Sequence, residues 1–190
     1  MDATGRLQTR LTVNTAGDLE PSWSPGGDKI AFRSLRTGNN EIFVMNSDGT
    51  GVKRFTINAA SDTSPTWSPD GKKIAFTSNR DGNLDVFVMN RDGSGLTQVT
   101  KNVGGANWAP FFSPDGKKII FASNMKDPRG GNFDLYLVNI DGSGLEQVTF
   151  DPAFDGFPMF SPDGKKLVFA SNRNDKNGTD TNLFIADWVW

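Results

Sequence analysis

The feature that most constrains this chain is a pentapeptide that returns four times. Trp23-Ser24-Pro25-Gly26-Gly27 recurs as Trp67-Ser68-Pro69-Asp70-Gly71, as Phe112-Ser113-Pro114-Asp115-Gly116 and as Phe160-Ser161-Pro162-Asp163-Gly164. The serines stand at 24, 68, 113 and 161, a period of 44 to 48 residues. A repeat of that length is one supersecondary unit, which buries its apolar faces by stacking on copies of itself. Proline fixes φ and glycine accepts positive φ, so Ser-Pro-Asp-Gly reads as a hairpin turn.

Each repeat then follows one plan. A segment ending in Trp-Ser or Phe-Ser is strand a. Strand b follows the turn as Lys29-Ile30-Ala31-Phe32, Lys73-Ile74-Ala75-Phe76, Lys118-Ile119-Ile120-Phe121 and Lys166-Leu167-Val168-Phe169. Strand c is Ile42-Phe43-Val44-Met45, Val86-Phe87-Val88-Met89, Leu135-Tyr136-Leu137-Val138 and Leu183-Phe184-Ile185-Ala186. Strands b and c are apolar on both faces, as strands buried between neighbouring sheets must be. Asp-Gly turns at 48–49, 92–93 and 141–142 lead to strands d ending at Thr56, Thr100 and Thr149. No stretch keeps an apolar stripe of period 3.6 over ten residues, so no helix is expected.

Four-stranded units of this period build a β-propeller. The fold class read from the sequence is therefore all-β: one propeller domain over residues 1–190, with four antiparallel four-stranded blades. Thr9-Arg10-Leu11-Thr12 matches Lys53-Arg54-Phe55-Thr56, a d strand with no a, b or c before it, and the chain finishes on a c strand. The N-terminal strand is expected to complete the last blade. The same count fits a half ring that pairs with a second copy by exchanging d strands, giving eight blades.

The repeat resembles that of TolB-type propellers. The likeness rests on Pro65-Thr66-Trp67-Ser68-Pro69-Asp70-Gly71-Lys72-Lys73-Ile74-Ala75-Phe76, Ser78-Asn79-Arg80-Asp81-Gly82-Asn83 and Val86-Phe87-Val88-Met89-Asn90-Arg91-Asp92-Gly93. It implies a propeller that serves as an interaction platform, with protein or peptide as partner and a periplasmic or secreted parent. Against the six blades and extra N-terminal domain of that family, four blades beginning inside a repeat read as a trimmed or engineered piece.

Composition narrows the function. The chain has no Cys and no His, which removes disulfides, thiolate chemistry and the commonest general base. The net charge is −2, with both signs interspersed, so nucleic acid is not an expected partner. No apolar run reaches the roughly 18–20 residues of a membrane span, and Met-Asp-Ala-Thr-Gly-Arg is not a signal peptide. The reading is a non-catalytic binding scaffold rather than an enzyme, with a self-assembling blade unit as its alternative.

Candidate sites follow from where the repeat varies. Phe in strand b and the aromatic of strand c stand at 32 and 43, then 76 and 87, but at 121 and 136, then 169 and 184. Two b–c loops, 125–133 and 174–182, have each gained four residues. Extra loop on a rigid frame is where binding residues concentrate. The d–a and b–c loops share one face of a propeller, so the expected ligand face carries Trp108, Phe154, Lys126, Arg129, Asp175, Asn177 and Asp180. A second candidate is a ring of Asp18, Asp62, Asn107 and Asp155, each three residues before the blade's proline. Four oxygen donors at a channel mouth suit a hard cation such as Ca²⁺. The competing reading has each Asp cap its own turn or pair with Arg36, Arg80 or Arg173. Phe157 is assigned to packing between blades, and Trp188 and Trp190 to the seam beside the N-terminal strand, where an exposed pair would instead mark a contact surface.

Overall fold

The computed structural model describes residues 8–101, 103–175 and 180–190. Blade 1 comprises β1 (Asp18–Trp23), β2 (Lys29–Ser34), β3 (Glu41–Asn46) and β4 (Lys53–Arg54). Blade 2 comprises β5 (Asp62–Trp67), β6 (Lys73–Ser78), β7 (Asp85–Asn90) and β8 (Thr97–Gln98). Blade 3 comprises β9 (Asn107–Phe112), β10 (Lys118–Ser123), β11 (Asp134–Asn139) and β12 (Glu146–Gln147). Blade 4 comprises β13 (Asp155–Phe160), β14 (Lys166–Ser171) and β15 (Asn182–Asp187). Each sheet is an antiparallel meander in chain order, and the fold is a four-bladed β-propeller.

The turn chemistry is visible in every a–b hairpin. Ser68 Oγ donates to Asp70 Oδ1 at 2.7 Å and accepts from the Lys73 amide at 2.9 Å, while the Gly71 amide donates to the Ser68 carbonyl. Blade 1 has glycine where the others have aspartate. There Ser24 Oγ donates to Asp28 instead, two positions further along.

Blade-to-blade packing repeats three times. Ala31, Ile42 and Val44 on the back of blade 1 meet Trp67, Ile74, Phe76, Phe87 and Met89 on the front of blade 2. Ala75, Val86 and Val88 meet Phe112, Ile119, Phe121, Tyr136 and Val138 in the same way. Ile120, Leu135 and Leu137 meet Phe160, Leu167 and Phe169. One d-strand residue seals each of the three seams: Phe55, Val99 and Val148.

Two expectations about the ends are corrected. Among the described residues the last sheet has three strands, and residues 9–12 do not pair with β15. Leu11 instead packs against Ile30, Phe32, Phe43 and Met45 on the front of blade 1. Its carbonyl oxygen lies 2.7 Å from where a Cβ on Gly49 would stand, the same relation that the Val99 carbonyl has to Gly142. Residues 9–12 thus occupy the place of a d strand preceding blade 1, with no sheet of their own. The inner strands pack in the series β1 on β5, β5 on β9 and β9 on β13, and no packing of comparable extent joins β13 to β1. Trp188 and Trp190 are not beside the N-terminal segment. They pack on each other and on Phe160, at the seam of blades 3 and 4.

Candidate functional site

The d–a and b–c loops are tied together on one face. Asn79, Asn124 and Asn172 follow strands b, and their side-chain oxygens accept the amides of Ser61, Ala106 and Phe154 at 2.7 Å. The two long b–c loops fall on this face, after β10 and β14. Lys126, Arg129 and Asp180 are exposed there and Asp175 is half-buried. The Asp180 amide donates to the Asp175 carboxylate at 3.2 Å. Asn177 lies outside the described residues.

Two of the expected ligand-face residues come together. Trp108 and Phe154 stack with ring centroids 6.1 Å apart. Two residues absent from the expected ligand face join them. Phe133, at the end of a long loop, meets Trp108 edge-on at 5.5 Å and Phe154 at 6.1 Å, and Phe157 meets Trp108 at 4.8 Å. Gly156 permits the cluster, because a Cβ there would lie 2.6 Å from Phe154 Cζ and 3.2 Å from Trp108. Phe157 packs across the seam of blades 3 and 4 on Trp108, as expected, yet remains 61% exposed, so part of its ring is left over from that packing.

The exposure of Phe157 has a backbone cause. Glu20, Ser64, Ala109 and Phe157, each the residue before the blade's proline, have φ between 51° and 54°. A register shift in each a–b pairing falls at the same place, a β-bulge repeated in every blade. The bulge breaks the two-residue alternation and turns these side chains toward the axis. There they line, with the four prolines, a cavity of about 270 Å³. Phe157 and Met159 contribute its most exposed apolar surface. The aromatic cluster thus runs from the loop face down to the axis.

The Asp/Asn set behaves differently. Asp62, Asn107 and Asp155 are fully buried, and none of the four lines the axial cavity. Arg36 pairs with Asp18 at 2.9 Å, Arg80 with Asp62 at 3.0 Å and Arg173 with Asp155 at 2.5 Å. Each arginine also lies over two rings of its own blade, Arg80 at 5.3 Å from Phe76 and 4.8 Å from Phe87. In blade 3 the acid and the base are replaced together. Asn107 donates to Asp85 at 3.0 Å, and Met125, in the arginine's place, packs on the apolar core. Among the described residues no group of three or more acidic side chains gathers to hold a metal. For Asp18, burial raises the pKa, but hydrogen bonds from Ser34, Arg36, Thr12 and Asn14 outweigh it and bring it down to about 2. Stability from this carboxylate is present above its ordinary value of 3.8 and is lost as pH falls toward 2.

One carboxylate is shifted the other way. Asp134 begins strand c of blade 3, where Glu41 and Asp85 stand in blades 1 and 2. Burial and the charge of Asp155 raise its pKa, against hydrogen bonds from Thr149 and Gln147 and the charge of Lys126. Asp155 Oδ1 is buried with no hydrogen-bond partner. In blades 2 and 3 the equivalent pair is Asp85 with Asn107, an acid facing an amide. We therefore expect Asp134→Asn to raise the melting temperature at pH 7, because the amide can donate to Asp155. A raised folded-state pKa means the penalty is present at neutral pH and vanishes below about 3.8. The gain, about 1.5–3 kcal/mol for one new hydrogen bond to a charge, should fade over that acid range in thermal melts. An unchanged or lowered melting temperature at pH 7 would count against the pairing.

Fold and site together define a β-propeller with an aromatic strip joining its loop face to its axis. The family model PD40, the TolB β-propeller domain, matches residues 10–104 and 94–179, and the chain belongs to that family. It is similar to a putative TolB from Agrobacterium tumefaciens, with 30% identity and a TM-score of 0.78 over 92% of this chain and 63% of that one. It is also similar to TolB from Acinetobacter baumannii, with 25% identity and a TM-score of 0.81 over 97% of this chain and 44% of that one. A TolB homolog of Chlorobium luteolum is 45% identical over 47 residues, 25% of this chain and 11% of that protein. The chain thus spans less than two thirds of these relatives. An oligogalacturonate lyase (20% identity, TM-score 0.63) and a puromycin hydrolase (15%, 0.69) share the fold alone. Among the described residues no helix is long and apolar enough to cross a membrane.

Proposed function

We propose that this protein is a non-catalytic scaffold that binds a protein or peptide segment on the face of its d–a and b–c loops. The observation that carries the reading is the aromatic strip of Trp108, Phe133, Phe154 and Phe157, which ends exposed beside the axial cavity. Aromatic side chains offer large contact area at small entropic cost and dominate binding energy at protein surfaces. Lys126 and Arg129 stand on one long loop of that face, and Asp175 and Asp180 on the other. The non-catalytic part rests on chemistry: the chain has no His or Cys, and the buried aspartates of blades 2 and 4 are matched by arginines. Membership of the TolB propeller family is consistent with an interaction platform.

The test is selection of short displayed peptides on the purified protein. Peptides with an aromatic or aliphatic anchor should be enriched. Their affinity should fall by tenfold or more for Phe157→Ala and Trp108→Ala, the range of a buried anchor residue. Leu145→Ala, beside the opposite c–d turn, should leave it unchanged. Enriched peptides that bind all three variants equally would place the site elsewhere, and failure to enrich any peptide would remove the reading.

A further inference from the structure

The acid that opens strand c is held differently in blades 1 and 2. In blade 1 it is Glu41, fully buried, and Arg54 of strand d pairs with it at 2.6 Å. Thr56 also donates to it. Asn39 donates to Glu41 at 3.1 Å and to the Asn58 carbonyl at 2.9 Å, tying the b–c loop to the d–a loop. A guanidinium and an amide thus fill the space between those loops. In blade 2 that filling is missing. The acid is Asp85, shorter by one methylene, and Gln98 takes the register position of Arg54. Asn83, the counterpart of Asn39, makes no hydrogen bond among the described residues. The d–a connection is longer as well. Thr56 and Asp62 stand six apart, as do Thr149 and Asp155, but Thr100 and Asn107 stand seven apart.

These changes leave a pocket of about 680 Å³, lined by Asp81, Asn83, Asp85, Gln98, Thr100, Lys101 and Gly104. All of them belong to blade 2 and its connection to blade 3, in the interior of the chain. Asp85 is only 7% exposed. It accepts from Thr100 at 2.6 Å and from Gln98 and Asn107 at 3.0 Å, all neutral donors. Among the described residues no arginine or lysine pairs with it. Asn107 spends its amide on Asp85 and the Gly104 carbonyl, and its own Oδ1 is buried with no hydrogen-bond partner. Asp81 and Lys101 are exposed. The pocket therefore carries two carboxylates against one ammonium, with acceptors in excess around a buried charge. Such a charge gains most from a cation that also donates hydrogen bonds.

We infer that this pocket takes a guanidinium group, borne by an arginine of the peptide segment proposed above for the loop face, on which reading the source of the arginine rests. Arg54 in blade 1 is the template, since it brings the same group to the same acid from within the chain. A planar guanidinium with five donors suits two carboxylates and an amide oxygen better than a compact ammonium does. A divalent cation would lack ligands, because no third acid joins Asp81 and Asp85.

The probe is N-acetyl-arginine amide, titrated into isotope-labelled protein and followed by NMR. It should shift the backbone amides of Asp85, Thr100 and Gly104 to saturation. The citrulline counterpart, equal in shape but uncharged, should leave them in place. Gln98→Arg supplies the guanidinium internally and should weaken the probe by about tenfold or more, the equivalent of one lost hydrogen bond to a charge. Asp81→Asn, at an exposed position, should weaken it less. Phe157→Ala should bind the probe as the unmodified protein does, so a failed peptide selection and a failed titration are separate results. Equal shifts from arginine and citrulline, unmoved amides, or undiminished binding by Gln98→Arg would each overturn the guanidinium pocket. Selected peptides that lack arginine would overturn the source assigned to it.

Discussion

Arg80→Met should destabilise the protein by about 3–5 kcal/mol, the cost of stranding a buried charge, and Asp62→Asn added to it should restore most of that loss. Asp62 is fully buried, and its carboxylate receives Arg80 at 3.0 Å and the Asn58 amide at 2.8 Å. Without the arginine, one amide hydrogen bond faces a full negative charge in a seam from which water is excluded. Arg80 also covers the Phe76 and Phe87 rings, so its stem and its charge both matter. The double variant reproduces what blade 3 already contains, Asn107 with Met125. There the asparagine donates to the acid that opens strand c, Asp85, and the methionine fills the apolar space. For Asp62 the corresponding acid is Glu41 of blade 1, which is fully buried beside Arg54. Urea denaturation of the two single variants and the double gives the coupling directly. A double variant as unstable as the sum of its parts would mean that the pair does not act as a unit.

That exchange shows how far the sequence could be read and where reading stopped. Asp18 and Arg36, Asp62 and Arg80, and Asp155 and Arg173 stand at one spacing, as do Asn107 and Met125. Taken alone, the four oxygen-bearing residues look like a ligand ring. Taken with the position eighteen residues later, they are ion pairs, and the one missing acid is the one whose arginine is missing too. The blades, turns and strand pairing were legible because turn residues and apolar runs are local signals. Trp108 and Phe154 were legible as aromatics on variable loops. Phe157 packs on the neighbouring blade as read, but its exposure was not legible, because a bulge before proline reverses the side its residue faces, which alternation cannot register. Phe133 was missed because it ends a loop whose length has no counterpart in blades 1 and 2. The path of residues 9–12 was misjudged for another reason. A d strand matches every d strand in sequence, but which c strand it meets depends on where the arc of blades ends.

The same arc makes one pair of identical substitutions behave oppositely. Leu135 and Leu183 hold the same place in strand c of blades 3 and 4, and both face the back of their sheet. Leu135→Ala should cost about 2–5 kcal/mol, since its methyls are fully buried against blade 4 and the cavity left behind can close only in part. Leu183→Ala should leave the stability of the single chain almost unchanged, because that side chain is 81% exposed. Urea denaturation of the two variants beside the unmodified protein separates these outcomes. A Leu183→Ala protein destabilised as much as Leu135→Ala would mean that the back of blade 4 is covered within the chain itself.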